Sequence, residues 1–173
     1  PEVEERLVPG HWEGDLIKGA RNASAVGTLV DRKTLFTVLC QMDNASAEAA
    51  LAGFSRVLNR IDEQKRLTLT YDQGREMAMH QQLTQATGVK VYFAEPHSPW
   101  QRGINENTNG LLRQYLPKGS DLSGFTQKQL DDIAWELNTR PRKSLGFRCP
   151  AELFTPDAFD FKKHHASLFA LGA

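Results

Sequence analysis

Only two cysteines occur in the 173 residues, Cys40 and Cys149, and neither sits in CxxC or His/Cys ligand spacing. That excludes a disulfide framework or a cysteine-based zinc site and predicts reduced core thiols in a cytoplasmic protein. Long apolar runs are missing as well. Nothing approaches the roughly 20 residues of a membrane helix, and no basic segment followed by an apolar stretch marks an export signal. A soluble domain without a membrane partner is expected. Excess charge of either sign is absent too, with Lys plus Arg and Asp plus Glu at 21 each. Nucleic-acid binding usually shows as a basic excess, so here it has to rest on where the basic residues sit. A Gly-rich phosphate loop, a GxSxG elbow and a dinucleotide fingerprint are all lacking, so no organic cofactor is expected. With no repeats, low-complexity tracts or long linkers, the length fits one domain.

What is present is an alternation of strand and helix patterns. Residues 10–18, 25–31 and 35–42 read as three strands, with the 31–34 break suited to a tight turn. Ser46 looks like the cap of an amphipathic helix over 47–59. A strand over 67–71 follows, then a helix over 76–87 closed by Gly88, then an apolar strand over 89–94 expected to be buried. A helix over 104–115 stops at Pro117, Thr126 caps another to about 138, and a short one follows Pro150. This order is what an α/β domain of ribonuclease H-like fold requires, an order that other mixed α/β folds can share. The expected mixed five-stranded sheet has three antiparallel strands and then two parallel ones, flanked by helices. Residues 9–155 form the expected core, with an extension over 1–8 and a tail over 156–173. The chain begins at Pro1 instead of methionine, and a cut fragment is expected.

Phosphoryl transfer on DNA is commonly run by two magnesium ions, which need carboxylates converging from different elements. Three acids stand at suitable points. Asp15 lies in the first strand and projects with Glu13 and Ile17, opposite Trp12, Gly14 and Leu16. Asp72 ends the fourth strand, at a carboxyl edge where open α/β sheets place ligands. Glu106 falls early in the helix after the fifth strand.

Residues 96–119, PHSPWQRGINENTNGLLRQYLPKG, resemble the signature around the last acid of the bacterial insertion-sequence transposases of family thirty. So do HWEGD at 11–15, YDQG at 71–74 and NTRPRKSLG at 138–146. The 33 residues between Asp72 and Glu106 are close to the interval familiar in the wider group with a retroviral-integrase-like, Asp-Asp-Glu core. The resemblance implies a polynucleotidyl transferase that frees a 3′ hydroxyl at transposon ends and joins it to target DNA. It implies two Mg2+ or Mn2+ ions held by Asp15, Asp72 and Glu106, and a homo-oligomer acting in the bacterial cytoplasm near the nucleoid. Full-length members carry an amino-terminal helix-turn-helix region, which this sequence does not include, and the His-His-Cys-Cys zinc module of integrases proper is likewise missing.

Arg102, Asn105, Asn109 and Arg113 recur at spacings of three or four and crowd one helix side. Asn is a poor helix former, so this face is expected to contact DNA. Lys118 and the run Arg140, Arg142, Lys143, with Arg148 beyond, are further candidates, with no acid between Glu136 and Glu152. Asp31 and Asp43 read as turn residues, Glu13 as a solvated strand residue, and Trp12 and Trp135 as core. Glu95, His97 and Trp100 are secondary candidates beside the metals, in the second shell and against a base. The rivals are a nuclease of the same fold that hydrolyses without strand transfer, and a catalytically silent DNA-binding or assembly module.

Overall fold

The computed structural model describes residues 8–72, 74–94 and 103–156, apart from the side chains of Asn105 and Glu106. β1 (His11–Lys18), β2 (Ala25–Asp31), β3 (Thr37–Met42), β4 (Thr68–Tyr71) and β5 (Lys90–Phe93) form one sheet in the order β3-β2-β1-β4-β5. The first three strands pair antiparallel, and β4 and β5 add in parallel beside β1. This is the mixed five-stranded sheet expected. The helices are α1 (Ala47–Leu58), α2 (His80–Thr87), α3 (Gly103–Leu112), α4 (Gln127–Asn138) and α5 (Pro150–Phe154). No described helix is long and apolar enough to cross a membrane.

Because β1 is central, its period-two alternation feeds two cores. Trp12 and Leu16 join Phe54, Val57, Leu69, Tyr71 and Leu83 in a core built on α1 and α2. Ile17 joins Val26, Leu39, Leu112, Leu130 and Leu137 on the opposite face, under α3 and α4. Asp15, two residues before Ile17, is therefore on the α3 side. Gly14 faces the other layer, where a Cβ would stand 2.8 Å from Leu69 Cδ1 and 2.9 Å from Tyr71 Cδ2. A side chain there would push β1 off β4, which carries Asp72.

Capping follows the sequence. Ser46 Oγ accepts from Ala49 N at 3.1 Å, Thr126 and Gln129 close a capping box, and Gly88 ends α2 at φ 80°. The outer edge of β3 is closed by α4: Asn138 accepts from Thr37 N and donates to Thr37 O, both at 2.8 Å. Gln127 does the same for Gln41 N at 2.9 Å and Leu39 O at 2.7 Å. An edge strand is thus denied to other chains by side-chain amides. Asp31, as expected, organises its turn, accepting from Gly10 N, Thr34 N and Thr34 Oγ1.

Four expectations need correction. The strand at 89–94 is not buried: β5 is the sheet edge, and Tyr92 is 52% exposed. The helix at 76–87 is broken, with a 3-10 turn at Arg75–Met77 and α2 starting only at His80. Glu76 accepts from Tyr71 Oη at 3.0 Å and Met77 is buried, so both residues are tied toward β4 and the core, out of phase with α2. Glu13 is not solvated but 2% exposed, with its carboxylate 3.7 Å from Arg32 Nε. Trp135 is not core: it lies 46% exposed on α4. The remaining bounds move by a few residues at their ends, and α3 stops at Leu112, short of Pro117.

Cys40 and Cys149 are free and buried. Burial pushes both thiols above their ordinary value, Cys40 strongly, with Arg56 pulling the other way. Folding thus favours the neutral thiol, so this contribution is intact below the unfolded thiol's pKa of about 8.5 and is lost as pH rises above it. The expected result is that neither thiol reacts with an aromatic disulfide at pH 8 until denaturant is added, and that urea midpoints fall between pH 8 and 10. Fast native labelling at Cys40 would contradict the buried placement.

Candidate active site

The parallel ladder of β1 and β4 ends on the pair Glu13–Thr70. Two residues further along each strand stand Asp15 and Asp72, so the register itself brings them side by side where β4 gives way to loop. Their charge is felt by Tyr71. Its phenol is pushed well up from the ordinary value, by burial first and Glu76 next, with Asp15 and then Asp72 adding to the effect. A buried neutral phenol and a concentration of carboxylates thus share the end of β4.

Asp15 is held on both oxygens. Oδ1 accepts from Leu16 N at 2.8 Å, and Oδ2 accepts from Asn109 Nδ2 at 3.1 Å. Thr28 on β2 donates its hydroxyl to the Asp15 carbonyl at 3.3 Å. Asp72 Oδ1 accepts from Gly74 N at 3.2 Å, an Asx turn that fixes the carboxylate as the chain leaves the strand. The Asn109 bond ties α3 to β1, and Glu106 lies one turn earlier on that helix. Glu13, on the same side of β1, adds a buried carboxylate paired with Arg32.

The other candidates separate. Asn109 is at the site as a partner of Asp15. Arg113 turns to backbone instead, donating to Leu116 O at 3.2 Å and Lys18 O at 3.4 Å. Lys118, Arg140 and Lys143 are exposed and Arg142 is half-buried. Asn105 lies in α3. Arg102, Glu95, His97 and Trp100 lie outside the described residues. A cavity of about 430 Å³ is lined by Phe36, Val57, Ile61, Lys65 and Phe154 and includes none of the three acids.

Two features go beyond the sequence expectations. Asn109, expected to contact DNA, also bonds Asp15, and its spacing of three from Glu106 is the signal that it shares that residue's side of the helix. The Tyr71–Glu76 bond had no signal beyond the adjacency of Tyr71 to Asp72.

Residues 5–99 match the integrase core domain family. The chain is 61% identical over 153 residues to the transposase for insertion sequence element IS1086 of Cupriavidus metallidurans, covering 88% of this chain and 45% of that protein. To the transposase InsI for insertion sequence element IS30A of Escherichia coli it is 46% identical over 151 residues, covering 87% and 39%. The chain thus spans less than half the length of either relative. Its fold superposes on the catalytic core domain of BIV integrase with a TM-score of 0.61 at 15% identity, over 93% of this chain and 99% of that one. The fold is ribonuclease H-like, the resemblance to insertion-sequence transposases of family thirty extends across most of the sequence, and the chain belongs to the integrase core domain family.

Proposed function

We propose that residues 9–155 are the catalytic core of a DNA transposase, which cuts at transposon ends and joins the freed 3′ hydroxyl to target DNA. The observation that carries this reading is the parallel register of β1 and β4, whose ladder ends at Glu13–Thr70 two residues before Asp15 and Asp72, with α3 tied to Asp15 through Asn109. Two relatives named as transposases support it, as does the integrase core family match of this chain.

In the first step, water oxygen bonds to phosphorus at the transposon end and the 3′ oxygen leaves with a proton. In the second, that 3′ hydroxyl attacks a target phosphodiester and displaces the target's own 3′ oxygen. The donor set is all hard oxygen, which suits magnesium or manganese. Two such ions, held by Asp15, Asp72 and Glu106, would activate the attacking oxygen and stabilise the leaving one. The chain's own contribution is orientation. Leu16 N and Asn109 Nδ2 fix the plane of the Asp15 carboxylate, and the Gly74 amide fixes Asp72. The substrate is DNA, and a homo-oligomer is the expected working form.

Incubation with a donor duplex bearing a free 3′ hydroxyl, a target duplex and magnesium tests the reading. Joined products are expected. Cleavage without joining would favour a nuclease, and binding with neither product a silent assembly module. Asn109 is a positioning residue in this scheme. Asn109→Ala is expected to lower the single-turnover joining rate about tenfold, the effect of one lost oriented hydrogen bond of about 1.4 kcal/mol, with KM for donor DNA little changed. A rise in KM at unchanged rate would return Asn109 to a DNA-contact role.

A further inference from the structure

Beyond α4 the chain closes a tight loop that the acidic site does not use. Arg142 N donates to Arg148 O at 3.0 Å and Phe147 N donates to Arg142 O at 2.9 Å, so residues 142 and 148 pair as an isolated antiparallel bridge. Inside it, Leu145 N donates to Arg142 O at 3.0 Å and Gly146 N to Lys143 O at 3.1 Å. Gly146 and Phe147 both take left-handed backbone, at φ 64° and 65°. For glycine this costs little. For a bulky residue it is strained by about 1 kcal/mol or more, and a small polar residue would suit the position better. Yet Phe147 is 69% exposed, a larger exposure than that of Tyr92 or Trp135. A ring held in solvent on strained backbone contributes little to the packing of the domain, and such outliers collect where a ligand is met.

The charge around the ring names the ligand. Arg140, Arg142, Lys143 and Arg148 fall within nine residues, and no acid occurs between Glu136 and Glu152. Among the described residues none of these four cations forms an ion pair. Arg140 is positioned instead by Tyr115, donating to its hydroxyl and lying 5.7 Å from its ring centre. Arg142 is half-buried, and its Nη1 has no hydrogen-bond partner among the described residues. Burial and the neighbouring Arg140 both disfavour its charge. Crowded, partly desolvated guanidiniums without a counter-ion repel one another until an anion arrives, and bidentate donors match phosphate. An exposed aromatic among such cations also suits stacking on a nucleobase.

We propose that the 140–148 loop is a DNA-contact element distinct from the acidic site, whose four cations take backbone phosphates while the Phe147 ring packs on an unpaired base. The proposal rests on the DNA reading above and adds to it a surface that discriminates unpaired from paired DNA. Fluorescence anisotropy in metal-free buffer tests it without any chemistry, using a blunt duplex and the same duplex with a 3′ single-stranded overhang. Lys143→Ala with Arg148→Ala is expected to weaken both DNAs and to lower the slope of log K against log salt by about 2, since each phosphate contact contributes about 0.9. Phe147→Ala is expected to weaken the overhang substrate about tenfold and leave the blunt duplex and the salt slope unchanged. Phe147→Trp should restore overhang binding, with extra indole fluorescence over the parent quenched as DNA is added.

Unchanged affinities in variants with parental thermal midpoints, while the parent binds DNA, would overturn the loop proposal and leave the transposase reading standing. A change in self-association by sedimentation with DNA affinity unaltered would overturn it in favour of a protein contact. If the parent bound neither DNA, the DNA reading would fail and the loop assignment with it.

Discussion

Asp72→Asn is expected to lower the rate of strand joining by at least about a thousandfold, and Asp15→Asn to do the same. A metal-ligand carboxylate contributes several kcal/mol of transition-state charge stabilisation, and each 1.36 kcal/mol is a factor of ten. Both changes keep the shape of the side chain: the new amide at position 72 still offers an oxygen to the Gly74 amide, and the one at position 15 offers its oxygen to Leu16 N while the Asn109 amide can turn over to accept from its NH2. The fold should therefore survive. In the absence of metal the variants should melt at or slightly above the parent midpoint, because removing one of two neighbouring carboxylates relieves like-charge repulsion. The double variant should be no slower than either single one, as residues that act as a unit are not additive. A loss of activity below tenfold, or one matched by a falling midpoint, would contradict the assignment.

The second large effect is on stability. Asn138→Ala is expected to cost about 2–4 kcal/mol in urea unfolding, because it strips both backbone partners from Thr37. One is an N–H and the other a C=O, bonded at 2.8 Å to an amide only 2% exposed. Leaving a buried backbone group unsatisfied costs roughly 1–3 kcal/mol, and two are exposed to that cost at once. Asn138→Asp keeps the acceptor for Thr37 N but turns a buried carboxylate oxygen on the Thr37 carbonyl, so a loss at least as large as that of the alanine is expected at neutral pH. A cost below about 1 kcal/mol for the alanine would mean that water reaches the β3 edge and that α4 does not seal it.

Much of this architecture was legible in the sequence because local and tertiary demands agree there. β1 alternates cleanly, and that alternation alone puts Asp15 on the face that α3 covers. Ser46, Thr126 and Gly88 mark helix ends through chemistry local to a few residues. The failures lie where the answer depends on what packs nearby. The apolar pattern of β5 cannot say that no strand lies beyond it. Glu13 is polar by type and buried by position, since Arg32, nineteen residues on, folds back onto it. The break before α2 is set by Tyr71 and the core, not by a helix-breaking residue. Trp135 is large and apolar but stands on the outer side of α4, where its 46% exposure is invisible to a periodicity argument. At the site, Asp15 could be read from its place in the first strand and Asp72 from the end of the fourth, whereas the bond between Asn109 and Asp15 joins residues 94 apart and has no local signature.

If Asp15, Asp72 and Glu106 form one site for divalent cations, the thermal midpoint must respond as magnesium is titrated onto the DNA-bound protein. A ligand of the folded state stabilises by RT ln(1 + [L]/Kd), about 1.4 kcal/mol at ten times Kd. A saturable rise is expected for the parent, and Asp15→Asn, Asp72→Asn and Glu106→Gln should each abolish it. Equal rises in the parent and all three variants would contradict a shared site, and so would no rise in the parent with either magnesium or manganese.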